Sequence, residues 1–301
     1  MFKKLFNKFF NSAVDNSSKK DISYIFSLGL PTQMKPVLAF LINGEIDDQA
    51  KAVAVLAETR RNEIAKGGDK KVPIWYSPKP SSAGSDTSAG ARPQPGEVLE
   101  FTMERVAATG KNQKWATALY LIAREFKSSI GIELGTCAGI SSLYISSAPS
   151  MDKFITVEGS EALANIAKES LKSHKNVKVV NALFDDALHQ ELPSLNKKID
   201  LAYIDGHHEK IATIHYLNKL IPFLSPGAVV LFDDISWSYD MRDAWDILSK
   251  RKEFSHAMDL GAVGLCILKS KDEKLNNAPM YWDLQPYVGK HKLGDPHGWK
   301  E

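Results

Sequence analysis

The chain has 301 residues, 44% hydrophobic and 25% charged, with 38 basic and 36 acidic side chains and a formal net charge of +2. That near-cancellation excludes a dedicated nucleic-acid binder, which carries a marked basic excess or a basic stripe. No run approaches the ~18–20 apolar residues of a membrane span. Cys137 and Cys266, far apart and at no zinc spacing, suit a reducing compartment, so a cytoplasmic protein is expected.

The N-terminus reads MFKKLFNKFFNS, with Phe2, Leu5, Phe6, Phe9 and Phe10 at helical spacing and Lys3, Lys4 and Lys8 off that face. Such a basic amphipathic segment either packs on the protein's own core or a second subunit, or lies on an anionic membrane surface. Peripheral membrane contact through residues 1–12 and homo-oligomerisation are therefore both open. Mixed three- and four-residue apolar spacing predicts helix over residues 20–66, which completes an N-terminal helical extension, 1–66. Residues 67–98 are rich in Gly, Pro and Ser without period, a loop or lid, and Trp75 and Tyr76 inside it favour a segment that docks. The following KNQKWATALYLIAREF places Trp115, Ala118, Leu119, Ile122 and Phe126 on one helical face.

From Ile130 short apolar runs alternate with amphipathic segments: IGIEL, KFITVE, VKVVNA, IDLAYID, AVVLFDD and GLCILK. Near-continuous apolar strands separated by helices predict a mostly parallel sheet covered on both faces. The stretch FSHAMDLGAVGLCILKS reads as two strands and a tight turn. The predicted fold is thus α/β, a doubly wound, Rossmann-like sheet of seven strands ending in an antiparallel hairpin. It occupies residues 99–272, followed by an irregular tail, 273–301.

Ligands in such sheets bind beyond the carboxyl ends of the strands, near the switch in strand order. The first strand there ends in ELGTCAG, where Gly135 and Gly139 permit a tight turn before a helix N-terminus. Neither a P-loop nor the three-glycine dinucleotide fingerprint is present, which makes a nicotinamide-dependent dehydrogenase the weakest reading. The second strand ends at Glu158, the third run is followed by Phe184 and Asp185, the fourth ends in Asp205 and the fifth in Asp233 and Asp234. Each acid alone is ordinarily structural. Their succession along one edge is specific.

IELGTCAGISSLYIS, FITVEGS, NALFDDAL, IDLAYIDGHH and GAVVLFDDISW together resemble the motifs of class I S-adenosylmethionine-dependent methyltransferases. The similarity is greatest to the branch of macrocin-type and other small-molecule O-methyltransferases. It covers roughly residues 100–270 and implies S-adenosyl-L-methionine as cofactor. Glu133, Gly135, Gly139 and Ser141 would form the first motif, Glu158 would hold the ribose hydroxyls, Gly159 and Ser160 would line the adenine side, and Phe184 and Asp185 would border the ring. In metal-dependent members the corresponding acids bind Mg²⁺, which here implies Asp205, Asp233 and Asp234. An Asp-Gly-x-His turn supplies a general base, here His208 beside Asp205.

The chemistry is consistent with that resemblance. Methyl transfer from a sulfonium is an in-line displacement, so alignment dominates, and a neutral hydroxyl needs a base or a cation. Converging carboxylates suit a hard, oxygen-loving ion, and an imidazole ordinarily titrates near neutrality. Alternatively, Asp205 and Asp234 only cap the helices that follow them, and His207 is a turn residue. Cys137 reads as a small packing residue, and Trp237, Tyr239 and Arg242 either face a substrate or form a helix face. The expected function is methyl transfer to a hydroxyl of a small molecule, with no nucleic-acid partner. A metal-independent N- or protein methyltransferase and a cofactor-binding interaction protein without turnover are the alternatives.

Overall fold

The apolar runs from Ile130 onward become strands of one sheet in the computed structural model, which describes residues 26–27, 29–74, 98–195, 198–270 and 277–289. The amphipathic segment 1–12 and the pair Trp75–Tyr76 lie outside the described residues.

Two helices come first, α1 (Met34–Asn43) and α2 (Asp48–Ala65). Asp47 caps α2 by accepting the Ala50 N–H at 2.9 Å, a bond that satisfies one of the helix's orphan donors. Strands β1 (Lys71–Ile74) and β2 (Leu99–Thr102) then pair antiparallel, so paired strands flank residues 75–97. Helices α3 (Met103–Thr109) and α4 (Gln113–Glu125) lead into the main sheet, and Asn112 caps α4 through the Trp115 N–H. Arg124 of α4 reaches Asp47 at 2.7 Å, which ties the extension to the domain.

The main sheet contains β3 (Ile130–Leu134), β4 (Lys153–Glu158), β5 (Val177–Asn181), β6 (Ile199–Ile204), β7 (Leu224–Asp233), β8 (Phe254–Asp259), β9 (Val263–Leu268) and β10 (Met280–Asp283). Their order is β5-β4-β3-β6-β7-β9-β8-β10. β9 runs antiparallel to β7 and β8, giving the terminal hairpin expected from the sequence. The tail adds an eighth strand, because β10 pairs parallel with β8.

Helices α5 (Ile140–Ser146) and α6 (Glu161–Ser170) follow β3 and β4. They share one core with α1, α2 and α4, including Met34, Val37, Leu119, Tyr144 and Ala167. The opposite face is covered by α7 (Phe184–Glu191), α8 (Lys210–Leu220) and α9 (Tyr239–Leu248), through Leu188, Tyr216, Leu217, Trp245 and Leu248. Side chains alternate between these layers along each strand. Leu201 and Tyr203 face the first core, Ala202 and Ile204 the second, as the two-residue repeat of a strand requires. Among the described residues no helix is long and apolar enough to cross a membrane.

The register positions the functional edge. Leu134 lies opposite Ile204, and Ile204 opposite Phe232, so the residues after these strand ends emerge side by side. Order reverses between β3's two neighbours, β4 and β6, which makes this edge the switch point. Gly135, at φ 110°, continues β3 so closely against the next strand's end that a Cβ would sit 1.9 Å from the Asp205 carbonyl oxygen. Gly135→Ala should therefore cost about 3 kcal/mol or more, through positive φ and backbone overlap together. Urea denaturation checks this, and a variant as stable as wild type would contradict the register described.

Candidate functional site

The glycine turn after β3 is fastened from beneath. Glu133 is fully buried and accepts hydrogen bonds from Ser141 at 2.6 Å, Thr156 at 2.6 Å and Ser142. Burial pushes its carboxyl up to about 7 against the pull of these three hydroxyls. Glu133 and Ser141, which the resemblance assigns to the first motif, bond to each other inside the protein, where they pin α5 to β3 and β4. Gly139, at φ 82°, then starts α5.

Glu158 links this turn to the one after β4. Its Oε2 accepts the Cys137 N–H at 2.8 Å and its Oε1 the Ser160 N–H at 2.9 Å. Burial raises the Glu158 carboxyl from its ordinary value, opposed by these backbone bonds. Each carboxylate oxygen has two lone pairs, so both retain acceptor capacity for a diol. Cys137 has φ 47°, and burial first, then Glu158, pushes its thiol up to about 12. A thiol so disfavoured as thiolate is no nucleophile.

Asn181 of β5 donates to the carbonyls of Glu158 and Gly159 at 2.9 and 3.3 Å, holding the turn that carries Gly159 and Ser160. Phe184 meets Tyr216 edge to face and His207 at a tilt, with ring centroids 5.3 and 5.5 Å away. His207, expected to be a turn residue, is joined to the Tyr216 hydroxyl at 2.7 Å within this aromatic cluster. Asp185, expected at the adenine border, pairs with His215 of α8 at 2.7 Å.

Beyond the ends of β6 and β7, acids cluster around an ammonium. Asp205 and Asp233 follow and end adjacent strands, and Asp234 follows with φ 50°. Lys111, in the turn between α3 and α4, forms ion pairs with Asp233 and with Asp234, the latter at 2.9 Å. Burial alone would lower the lysine's pKa. Asp233, Asp234 and Asp205 outweigh it and raise it, so the group is a fixed cation. Burial, then the charge of Asp233, holds the Asp205 carboxyl well above the usual carboxylate range, with Lys111 opposing. His208 Nε2 lies 3.7 Å from Asp205 Oδ1 and 4.0 Å from Asp234 Oδ2. The Trp237 ring lies 6.0 Å from the imidazole, centroid to centroid.

The acids expected to bind Mg²⁺ are thus brought together, but as arranged they do not fit a divalent cation. Among the described residues no group of three His, Cys, Asp or Glu is set to hold a metal ion. The ammonium of Lys111 contacts Asp233 and Asp234 directly. An ammonium already paired with both carboxylates takes the oxygens that a divalent ion would need.

Lys111 was not legible as a site residue, and neither was the clamp that sets it. Arg61 of α2 donates from Nη2 to the Lys111 carbonyl at 2.5 Å and from Nη1 to the Ala107 carbonyl at 2.8 Å. Glu58 holds Arg61 at 2.8 Å and accepts the Tyr144 hydroxyl at 3.0 Å. The one sequence signal is an apolar-to-polar break before α4, and that marks only a helix start. Of the candidate substrate residues, Arg242 is committed to the buried Asp259 at 2.7 Å, Tyr239 is exposed, and Trp237 remains beside His208.

Residues 132–235 match the family described as a methyltransferase domain. This segment runs from β3 to the turn after β7, and the sheet around it has the doubly wound, mostly parallel order expected from the sequence. Similar solved structures include an O-methyltransferase from Bacillus cereus in complex with SAH, 19% identical over 56% of this chain and 88% of that one, with a TM-score of 0.48. TomG from Streptomyces achromogenes, an O-methyltransferase involved in tomaymycin synthesis and solved with SAM, is 19% identical over 54% and 82%, with a TM-score of 0.44. Cofactor-bound Rv0187 from MTB is 20% identical over 54% and 83%, with a TM-score of 0.44. No curated protein matches the sequence.

Glu133 makes stability depend on pH. A carboxyl raised in the folded state favours folding while protonated, so its contribution is full below its ordinary 4.5 and is lost as pH rises through about 7. Relative to Glu133→Gln, wild type should lose up to about 3 kcal/mol across that window. Parallel urea melts at several pH values check this. A constant difference would show that Glu133 is not protonated in the folded protein.

Proposed function

We propose that the chain transfers a methyl group from S-adenosyl-L-methionine to a hydroxyl of a small molecule, with His208 as general base. The observation that carries this reading is convergence. A glycine turn braced by Glu133 and Glu158, and an imidazole set among acids, share the carboxyl edge of one sheet inside a methyltransferase domain.

Gly135, Gly139 and the Cys137 turn would cradle the cofactor, with Glu158 accepting from its ribose hydroxyls and Gly159, Ser160, Phe184 and Asp185 lining the adenine side. Bound, the cofactor would supply an electrophilic methyl whose sulfonium departs as a neutral thioether. His208 takes the proton of the acceptor hydroxyl as its oxygen forms the new bond to carbon. Asp234 lies 4.0 Å from Nε2, where its negative charge stabilises the imidazolium so formed, and Asp205 lies 3.7 Å away on the same edge. Trp237 shields that side of the imidazole and supplies an apolar wall to the acceptor.

Calorimetry should register S-adenosylhomocysteine binding in the micromolar range, on the order of −8 kcal/mol. Glu158→Ala should weaken it at least about tenfold, because a hydrogen-bonded diol loses its charged acceptor. The absence of any heat at millimolar ligand would overturn the cofactor assignment. Once an acceptor is found, His208→Gln should lower kcat by about 10²–10⁴-fold with little change in S-adenosylhomocysteine affinity. An unchanged kcat would remove His208 from the mechanism.

A further inference from the structure

The geometry points to Lys111 as the resident counter-cation of the acceptor site: its ammonium holds the place between Asp205, Asp233 and Asp234 that the resemblance assigns to Mg²⁺, so the protein works without a divalent metal. This deepens the methyl-transfer reading and rests on it for the identity of the acceptor side.

Three features support the assignment. The first is contact. Lys111 is ion-paired with both Asp233 and Asp234, and its side chain is only 10% exposed. The second is preorganisation. Arg61 grips the carbonyls of Ala107 and Lys111 from α2, Asn112 caps α4 immediately afterwards, and Glu58 and Tyr144 steady Arg61 in turn. The lysine is therefore delivered by a braced turn and is not a surface side chain that happened to fold inward. The third is charge. Asp233, Asp234 and Asp205 all act on the ammonium, while the imidazole of His208 borders the same group from the other side. A tethered monovalent ion neutralises the acids without demanding the octahedral oxygen shell of Mg²⁺.

The placement also gives the N-terminal helices a role. Arg61 lies in α2 and Lys111 in the turn before α4, both outside the matched domain, 132–235. The extension thus positions, through Arg61, the lysine that supplies the site's positive charge. Such a site lacks a Lewis acid to acidify the hydroxyl, which leaves that task to His208.

The test is a Mn²⁺ titration of the full-length protein, read by electron paramagnetic resonance and calorimetry, with melting temperatures recorded in EDTA and in MnCl₂. Wild type should show no saturable binding up to about 1 mM Mn²⁺ and the same melting temperature in both buffers. Lys111→Met leaves three uncompensated acids. It should melt about 4 °C or more lower in EDTA, regain stability with Mn²⁺, and bind the ion at least about tenfold more tightly than wild type. Lys111→Arg, which keeps the charge, should stay indifferent to Mn²⁺. Stoichiometric binding to wild type with Kd below about 100 µM, abolished by Asp233→Asn, would overturn the proposal, whether or not Lys111→Met folds. So would a folded Lys111→Met that neither loses stability nor gains the ion. S-adenosylhomocysteine binding measured on the same samples separates the two readings: its loss in wild type counts against the cofactor assignment, whereas the Mn²⁺ results bear on Lys111 alone.

Discussion

Three carboxylates at the ends of two neighbouring strands cannot all stay ionised and buried without a compensating positive charge. The register of β3, β6 and β7 forces this crowding, since Asp205 and Asp233 emerge side by side and Asp234 follows at once. Lys111 compensates, and its position depends on the packing of α2, α3 and α4 around the start of the domain. The acid cluster and the N-terminal helices are therefore structurally interdependent.

The two halves of the site are braced differently. At the turns after β3 and β4, neutral donors converge on single carboxylates: hydroxyls on Glu133, backbone N–H groups on Glu158. These bonds fix the turns after β3 and β4 and leave their outer surface available to a ligand. Beyond β6 and β7 opposite charges meet, and the imidazole stands at the edge of that cluster. Methyl transfer needs both halves, because alignment of donor and acceptor supplies most of the catalysis and a base supplies the rest.

The sheet was legible because apolar strands and amphipathic helices alternate at distinct periods, and so were the acids at its edge, since each follows an apolar run directly. What those acids do was less legible. Glu133 lies one residue before the end of β3, so it points into a core layer and takes hydroxyls from α5 and β4. Sequence spacing does not separate such an anchor from a ligand contact. His207 and His208 are adjacent, yet one side chain enters an aromatic cluster and the other lies beside the acids. Strand β10 escaped notice because four residues, MYWD, with no alternation of their own, become a strand only by adding to β8. Lys111 escaped because it meets Asp234 across 123 positions of sequence, a contact made by tertiary packing alone.

The most direct test is a crystal structure of the full-length protein grown with S-adenosylhomocysteine and MnCl₂, with anomalous data collected for manganese. The account expects the ligand between the Gly135–Gly139 turn and Glu158, the Lys111 ammonium between Asp233 and Asp234, and no anomalous peak among the acids. A manganese peak shared by Asp205, Asp233 and Asp234, with Lys111 displaced from them, would contradict it.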